Sequence, residues 1–300
     1  MPTRTPGIRA AGDACANSTK QAASAAGEGA AAAMAFRRDV GDPAGRLRPL
    51  QLDRALSSAL RKVLGHRPHH DRPYCFCMLR PVSSARPYAV RPSADILGAA
   101  LEGDVVHVHS ADGRAHVLDA VRWLGPARGA DLDLLSRVDG PAIDVGCGPG
   151  RLVAALTAGG VPALGVDIDA VAVRMACEAG GAALRRSVFR RLPGEGRWEH
   201  ALLIDGNIGI GGDPARLLRR CAELLASSGL VHVEMAAAGG VRSGALRLVH
   251  RGAPGAWFPW TMVGVDGADV VAAAAGLHVR ELWSADDGGE QRWFAVLTKS

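Results

Sequence analysis

The chain has 300 residues, 48% of them hydrophobic, which is enough for one large domain or two small ones with a substantial core. No stretch approaches the ~20 consecutive apolar residues of a membrane-spanning helix, so the sequence argues against a membrane protein of that kind. The net charge of +5 is unevenly spread: residues 1–93 carry a net +9 and residues 94–300 a net −4, so the larger part lacks the basic footprint of a nucleic-acid-binding domain.

Residues 1–48 are Ala/Gly/Arg-rich and show no apolar periodicity, which predicts disorder. Leu52, Leu56, Leu60 and Leu64 then recur at helical spacing and predict a short basic amphipathic helix over 50–64. Residues 66–92 hold five prolines together with His66, His69, His70, Asp71, Cys75 and Cys77, but their spacing matches no zinc pattern. No metal is expected there, and residues 1–93 read as a basic N-terminal extension ending in a Pro-rich linker. The six cysteines form no disulfide framework, which points to a reducing, cytoplasmic location.

Residues 94–140 read as an N-terminal lobe. Asp104-Val-Val-His-Val-His and Arg114-Ala-His-Val-Leu alternate about Ser110-Ala-Asp-Gly, a hairpin signal. His107, His109 and His116 on those strands read as a solvated face. Helical pieces follow, broken around Gly125-Pro126.

From residue 141 strand and helix patterns alternate. An apolar run ending in Asp144 leads into Gly146-Cys147-Gly148-Pro149-Gly150, and Arg151-Leu-Val-Ala-Ala-Leu opens a helix over 150–158. Glycine suits such a turn because it tolerates positive φ and lets a ligand approach the backbone. The helix start beyond it presents free N–H groups. A second apolar run ends in Gly165-Val-Asp167-Ile168-Asp169, where a carboxylate suits the two hydroxyls of a ribose. Further strands are expected at about 182–189, 200–205, 229–235, 277–283 and 291–298, with helices at 169–179, 214–226 and 267–275. Asp213-Pro214 supplies an N-cap and a first-turn proline for the middle one. The short turn before the last strand forces it antiparallel.

The glycine spacing, G-x-G-x-G, is not that of a dinucleotide fingerprint. Asp144-Val-Gly-Cys-Gly-Pro-Gly-Arg-Leu and Gly165-Val-Asp-Ile-Asp together resemble motifs I and II of class I S-adenosylmethionine-dependent methyltransferases. The resemblance covers about residues 140–300. It implies an α/β fold: a Rossmann-like, mostly parallel seven-stranded sheet with an antiparallel last strand and helices on both faces, making 141–300 the methyltransferase domain. It also implies S-adenosylmethionine as cofactor. Gly146, Cys147, Gly148 and Gly150 would form its turn, Asp144 would order the turn and the cofactor's amino group, Asp167 would take the ribose and Ile168 would pack on the adenine. The acid often found on the third strand is missing, and Ser187 or backbone groups stand in for it.

On the acceptor side, Asp205 and Asn207 after the fourth strand are suited to orienting a substrate, with Asp205 able to accept a proton. His232 and Glu234 alternate on the fifth strand, and Glu234 is the nearer to the site. The stretch 235–266 is long enough to cover the site, and Trp257, Phe258 and Trp260 suit an apolar lid over a small planar acceptor. Trp123 is a similar candidate. Signatures for nucleobase and glutamine amino groups and for cytosine C5 chemistry are missing. The reading is therefore methyl transfer to a small molecule. The alternatives are an RNA or protein methyltransferase recruited through the basic extension, and a cofactor-binding scaffold without turnover. The sequence carries no signal of oligomeric state.

Overall fold

A computed structural model describes residues 92–299. The low-complexity segment 1–48, the helix expected over 50–64 and almost all of the Pro-rich stretch 66–92 lie outside the described residues. Among the described residues no helix is long and apolar enough to cross a membrane.

Helix α1 (Ser93–Leu101) precedes the hairpin strands β1 (Val106–Ser110) and β2 (Ala115–Val117), then the short helices α2 (Val121–Leu124) and α3 (Ala130–Leu135). The alternating half follows: β3 (Ala142–Val145), α4 (Arg151–Ala158), β4 (Ala163–Asp167), α5 (Ala170–Glu178), β5 (Ala183–Arg185), β6 (Trp198–Leu203), α6 (Pro214–Leu224) and β7 (Leu225–Met235). Three more strands, β8 (Val241–His250), β9 (Ala253–Pro254) and β10 (Phe258–Val263), precede α7 (Ala268–Ala274), β11 (Leu277–Asp287) and β12 (Glu290–Lys299). Two aspartates start helices as their side chains dictate: Asp169 accepts from Ala172 N–H at 2.8 Å and Asp213 from Arg216 N–H at 2.9 Å.

The central sheet has seven strands in the order β11-β12-β7-β6-β3-β4-β5. Strand β12 is antiparallel to both neighbours and all other pairs of the sheet are parallel. This is the expected Rossmann-like arrangement with a reversed last strand. Side chains alternate between two cores. Ile143, Val145, Ala201, Leu203, Val231, Val233, Ala295 and Leu297 face α6 and α7. Ala142, Leu202, Ile204 and Phe294 face α3, α4 and α5. Gly150 holds the second layer close. Its φ is +85°, and a Cβ there would lie 2.5 Å from Ala176 Cβ on α5.

A second, antiparallel sheet runs β10-β8-β1-β2, with β9 on β8. It joins the hairpin of the N-terminal lobe to the stretch expected only as a lid, through pairs such as Val108↔Leu248 and Trp260↔Gly244. Its packed face, with Val106, Val108 and Leu248, meets Ile96 and Leu101 of α1 and Ala172 of α5.

Three boundaries differ from expectation by four residues: β11 runs on to Asp287 because it stays paired with β12 as far as Asp287↔Glu290, and two others have their own causes. The third strand stops at Arg185 because the chain turns at once: Ser187 Oγ accepts from Phe189 N–H at 3.3 Å and Arg186 Nη1 donates to Arg191 O at 2.9 Å. Strand β7 begins at Leu225, directly after α6, because Leu225 already pairs with Trp198 before a register shift between Trp198 and His200. Replacing Gly150 with Ala should lower stability by about 2–4 kcal/mol, from overpacking and left-handed strain combined. The urea midpoint of the purified chain measures it.

Candidate functional site

The chain moves from β3 to β4 and β5 on one side and returns to β6 and β7 on the other. The crevice where the strand order reverses lies outside the carboxyl ends of β3 and β6, and ligands of open α/β sheets bind at such a switch point. The glycine turn sits there. Gly146 N–H donates to Val166 O at 2.8 Å and Gly150 N–H to Cys147 O at 3.0 Å. Among the described residues, nothing lies within 4 Å of where a Cβ on Gly148, at φ +53°, would stand. The turn therefore presents bare backbone to open space. Cys147 faces the other way, buried against Gly165, and burial pushes its thiol well above its usual range.

Asp167 at the end of β4 fastens this turn. Its Oδ2 accepts from Gly148 N–H at 3.0 Å and its Oδ1 from Asp169 N–H at 2.9 Å. Burial raises its carboxyl above the usual range against the pull of those two donors. Ile168 beside it is 56% exposed, an apolar side chain left uncovered at the strand edge. Ser187 lies just past the neighbouring β5, its Oγ taken up by the turn described above.

Asp144 is buried beneath the turn, and among the described residues none hydrogen-bonds to its carboxylate. Burial pushes it up to about 7; Arg151 pulls it down, while the charges of Asp205, Asp167 and Asp131 add to the rise. Such a carboxylate favours a bound cation.

Next to it lies a cluster of buried charges. Arg151, the first residue of α4, donates from Nε and Nη2 to Asp131 (2.8 and 3.1 Å) and from Nη1 and Nη2 to Asp205 (2.6 and 3.2 Å). Arg292 of β12 donates to both Glu234 oxygens at 2.8 Å and to Asp131 Oδ1 at 2.8 Å. Burial drives Asp131 toward protonation, but the hydrogen bonds and charge of Arg151 and Arg292 outweigh it and hold the carboxyl below its usual range. Glu234 is likewise held low by Arg292 and Arg122 despite its burial. The reversal of β12 makes this possible. It brings the strand's first residues to the edge where β7 ends, so Arg292 lies on the same face as Glu234. Arg122 of α2 reaches in from outside, 3.8 Å from Asp205 and 3.7 Å from Glu234 and Glu290.

The loop after β6 is fixed from two sides. Asp205 has φ +57°, uncommon for a residue with a side chain, and it is held there by Arg151 on its carboxylate and Glu234 Oε2 on its N–H at 2.7 Å. Asn207 turns its amide to the glycine turn and donates to Val145 O at 3.0 Å and Gly146 O at 2.9 Å. Both side chains predicted to meet an acceptor are thus engaged with the protein.

Of the predicted lid, Phe258 and Trp260 stand on one face of β10, ring centroids 6.2 Å apart, edge to face. Trp260 pairs across to Ile210 of the loop. Trp257 lies outside this pair, 47% exposed beneath the Arg247 guanidinium. Trp123 packs with α1 and the second sheet. His232 lies deeper in the sheet, hydrogen-bonded to His200 Nδ1 at 3.0 Å, away from the loop.

Sequence reasoning missed Asp131, Arg151 and Arg292. Arg151 follows the glycine turn directly and was open to discovery on that ground. Asp131 and Arg292 carry no local signal, because their partnership spans 161 residues.

No protein-family profile matches the chain, and no curated protein does. Solved structures do. A SAM-dependent methyltransferase from Bacteroides fragilis in complex with S-adenosyl-L-homocysteine aligns with TM-score 0.59 at 19% identity, covering 71% of this chain and 98% of that one. The CcbJ methyltransferase from Streptomyces caelestis aligns at 0.45 and 17%, covering 59% and 92%. The 1,6-didemethyltoxoflavin-N1-methyltransferase of Burkholderia thailandensis, bound to 1,6-didemethyltoxoflavin and S-adenosylhomocysteine, aligns at 0.45 and 18%, covering 73% and 93%. The first likeness establishes a shared fold, and the other two are looser.

Asp144 makes the stability of the ligand-free protein depend on pH. Its folded-state carboxyl titrates near 7 against an ordinary 3.8, so the folded chain keeps a proton that the unfolded chain has lost. Its contribution is fully present below the ordinary value and is lost as pH rises toward 7. Urea midpoints taken from pH 4 to 8 should fall more for the wild type than for Asp144→Asn, which has no such proton to lose.

Proposed function

We propose that the protein transfers a methyl group from S-adenosylmethionine to a small-molecule acceptor. The observation that carries this reading is the bare glycine turn at the switch point, with Gly148 facing open space and Asp167 pinning its N–H. The surroundings fit the cofactor's chemistry from end to end. Asp144 has the raised proton affinity of a carboxylate in want of a cation, which suits the amino group. Asp167, at the strand end, suits the ribose hydroxyls. Ile168 offers an uncovered apolar surface for the adenine, with Ser187 at the same edge.

The bound cofactor would supply an activated methyl on a sulfonium. The protein's work is then to place, enclose and orient. Gly146, Cys147, Gly148 and Gly150 shape the turn through their backbone. Asp205 and Asn207 act as positioning residues: Arg151 holds the first, and the second holds the turn. Phe258 and Trp260 on β10 provide an apolar, aromatic surface suited to a small planar acceptor, with Trp257 at its margin.

Calorimetry on the full chain tests the reading. S-adenosylmethionine should bind and NAD should not. Asp167→Ala should bind the cofactor about 10–100-fold more weakly, the effect of losing hydrogen bonds to a charged group. Transfer of a labelled methyl to a panel of small phenols and amines, and not to RNA, supports the acceptor class. A folded protein that binds neither cofactor overturns the proposal.

A further inference from the structure

The loop after β6 touches both halves of the site, and its fit leaves no slack. At one end the Asn207 amide donates both hydrogens to the glycine turn, to Val145 O and Gly146 O. At the other end the loop is locked to β10. Ile210 pairs with Trp260. Thr261 Oγ1 donates to Gly212 O at 2.7 Å and lies 2.9 Å from Ser243 Oγ of β8. A Cβ on Gly209 would stand 2.6 Å from Trp260 Nε1, Trp260 Cε2 and Thr261 O, and one on Gly212 would stand 2.5 Å from Pro259 Cβ. Close-packed protein transmits displacement rather than absorbing it. A shift of the glycine turn must therefore reach β10 through this loop, and the reverse holds equally.

We infer that Asn207 is a positioning residue that couples the glycine turn to β10, so that cofactor and acceptor bind with positive cooperativity. The inference rests on the proposed methyl-transfer reading, since it takes the turn as the cofactor's seat and the Phe258/Trp260 face as the acceptor's. Coupling needs two distinct sites and one element that both of them bias. Residues 205–213 are that element. Asp205 anchors its start to the buried charge cluster, so motion of the turn is passed forward along the loop rather than back into β6.

Amide hydrogen exchange on the full chain, with and without S-adenosylhomocysteine as the probe, reads the coupling directly. In the wild type, saturating probe should slow exchange both in 142–150 and in 258–263. Asn207→Asp keeps the shape but has no amide hydrogens to donate. It should bind the probe about 10-fold more weakly, as loss of hydrogen bonds implies, and at saturation it should protect 142–150 but not 258–263. Gly209→Ala keeps the Asn207 amide but forces Trp260 and Thr261 away from the loop. It should weaken probe binding less than Asn207→Asp does, yet also lose the response at 258–263. A residue that merely supported the fold would alter exchange in the free protein without separating the two responses. Protection at 258–263 that persists in both variants overturns the inference, as does a wild type that binds and protects only 142–150; the methyl-transfer reading survives both results. A wild type that does not bind the probe overturns both.

Discussion

Arg151 and Arg292 hold three carboxylates, Asp131, Asp205 and Glu234, out of water at one edge of the sheet, and the site is built around that cluster. Removing charges from water is costly. The arrangement persists because each guanidinium meets its carboxylates with paired, nearly ideal hydrogen bonds. Breaking one such partnership would strand a buried charge, at a cost of about 3–5 kcal/mol. Such a cluster is weak evidence for net stability. It ties α3, α4, the loop after β6, β7 and β12 into a single geometry.

That geometry divides the crevice into regions of different character. Beneath the glycine turn, Asp144 lies beside the cluster and takes no hydrogen bond from the other described residues, its proton affinity raised by burial and by neighbouring acids. Farther along, Asp167 and exposed Ile168 offer a polar and then an apolar surface. On β10, Phe258 packs on the core that α1 shares with the second sheet, and Trp260 lies against Gly209 of the loop after β6. A buried carboxylate, a second acid at a strand end and an exposed apolar side chain thus lie along one edge of the sheet.

The parts of this site that were legible in the sequence are those written within one strand–turn–helix unit. The glycine turn and Asp167 are a few residues from the elements that position them, so spacing pointed to them, while Asp144 and Ile168 were singled out by the resemblance of the two motifs. The caps Asp169 and Asp213 act on backbone three residues ahead, and Asp213 was equally readable. Asp205 and Asn207 lie in the loop after β6, where the sequence put them, but the partners of their side chains were not visible. Whether a side chain points at a ligand or at a neighbouring carbonyl depends on φ and on the partner's position, and Asp205 adopts a left-handed φ that composition does not announce. The stretch 241–263 was expected only to cover the site. Its strand character rests on partners in 106–110, far away in the chain.

By itself the sequence determined the alternating α/β order, the reversal of the last strand, the location of the glycine turn and the acid that follows it. All of these follow from local periodicity, turn chemistry and the short link before the last strand. Tertiary structure alone decided that the hairpin and the later strands form one sheet, that Asp205 is held by Arg151, and that Asn207 serves the turn. It also brought Asp131 and Arg292 together. The physical reason is the same in each case: strand pairing and burial of charge are non-local, and their energy is realised only when distant segments meet.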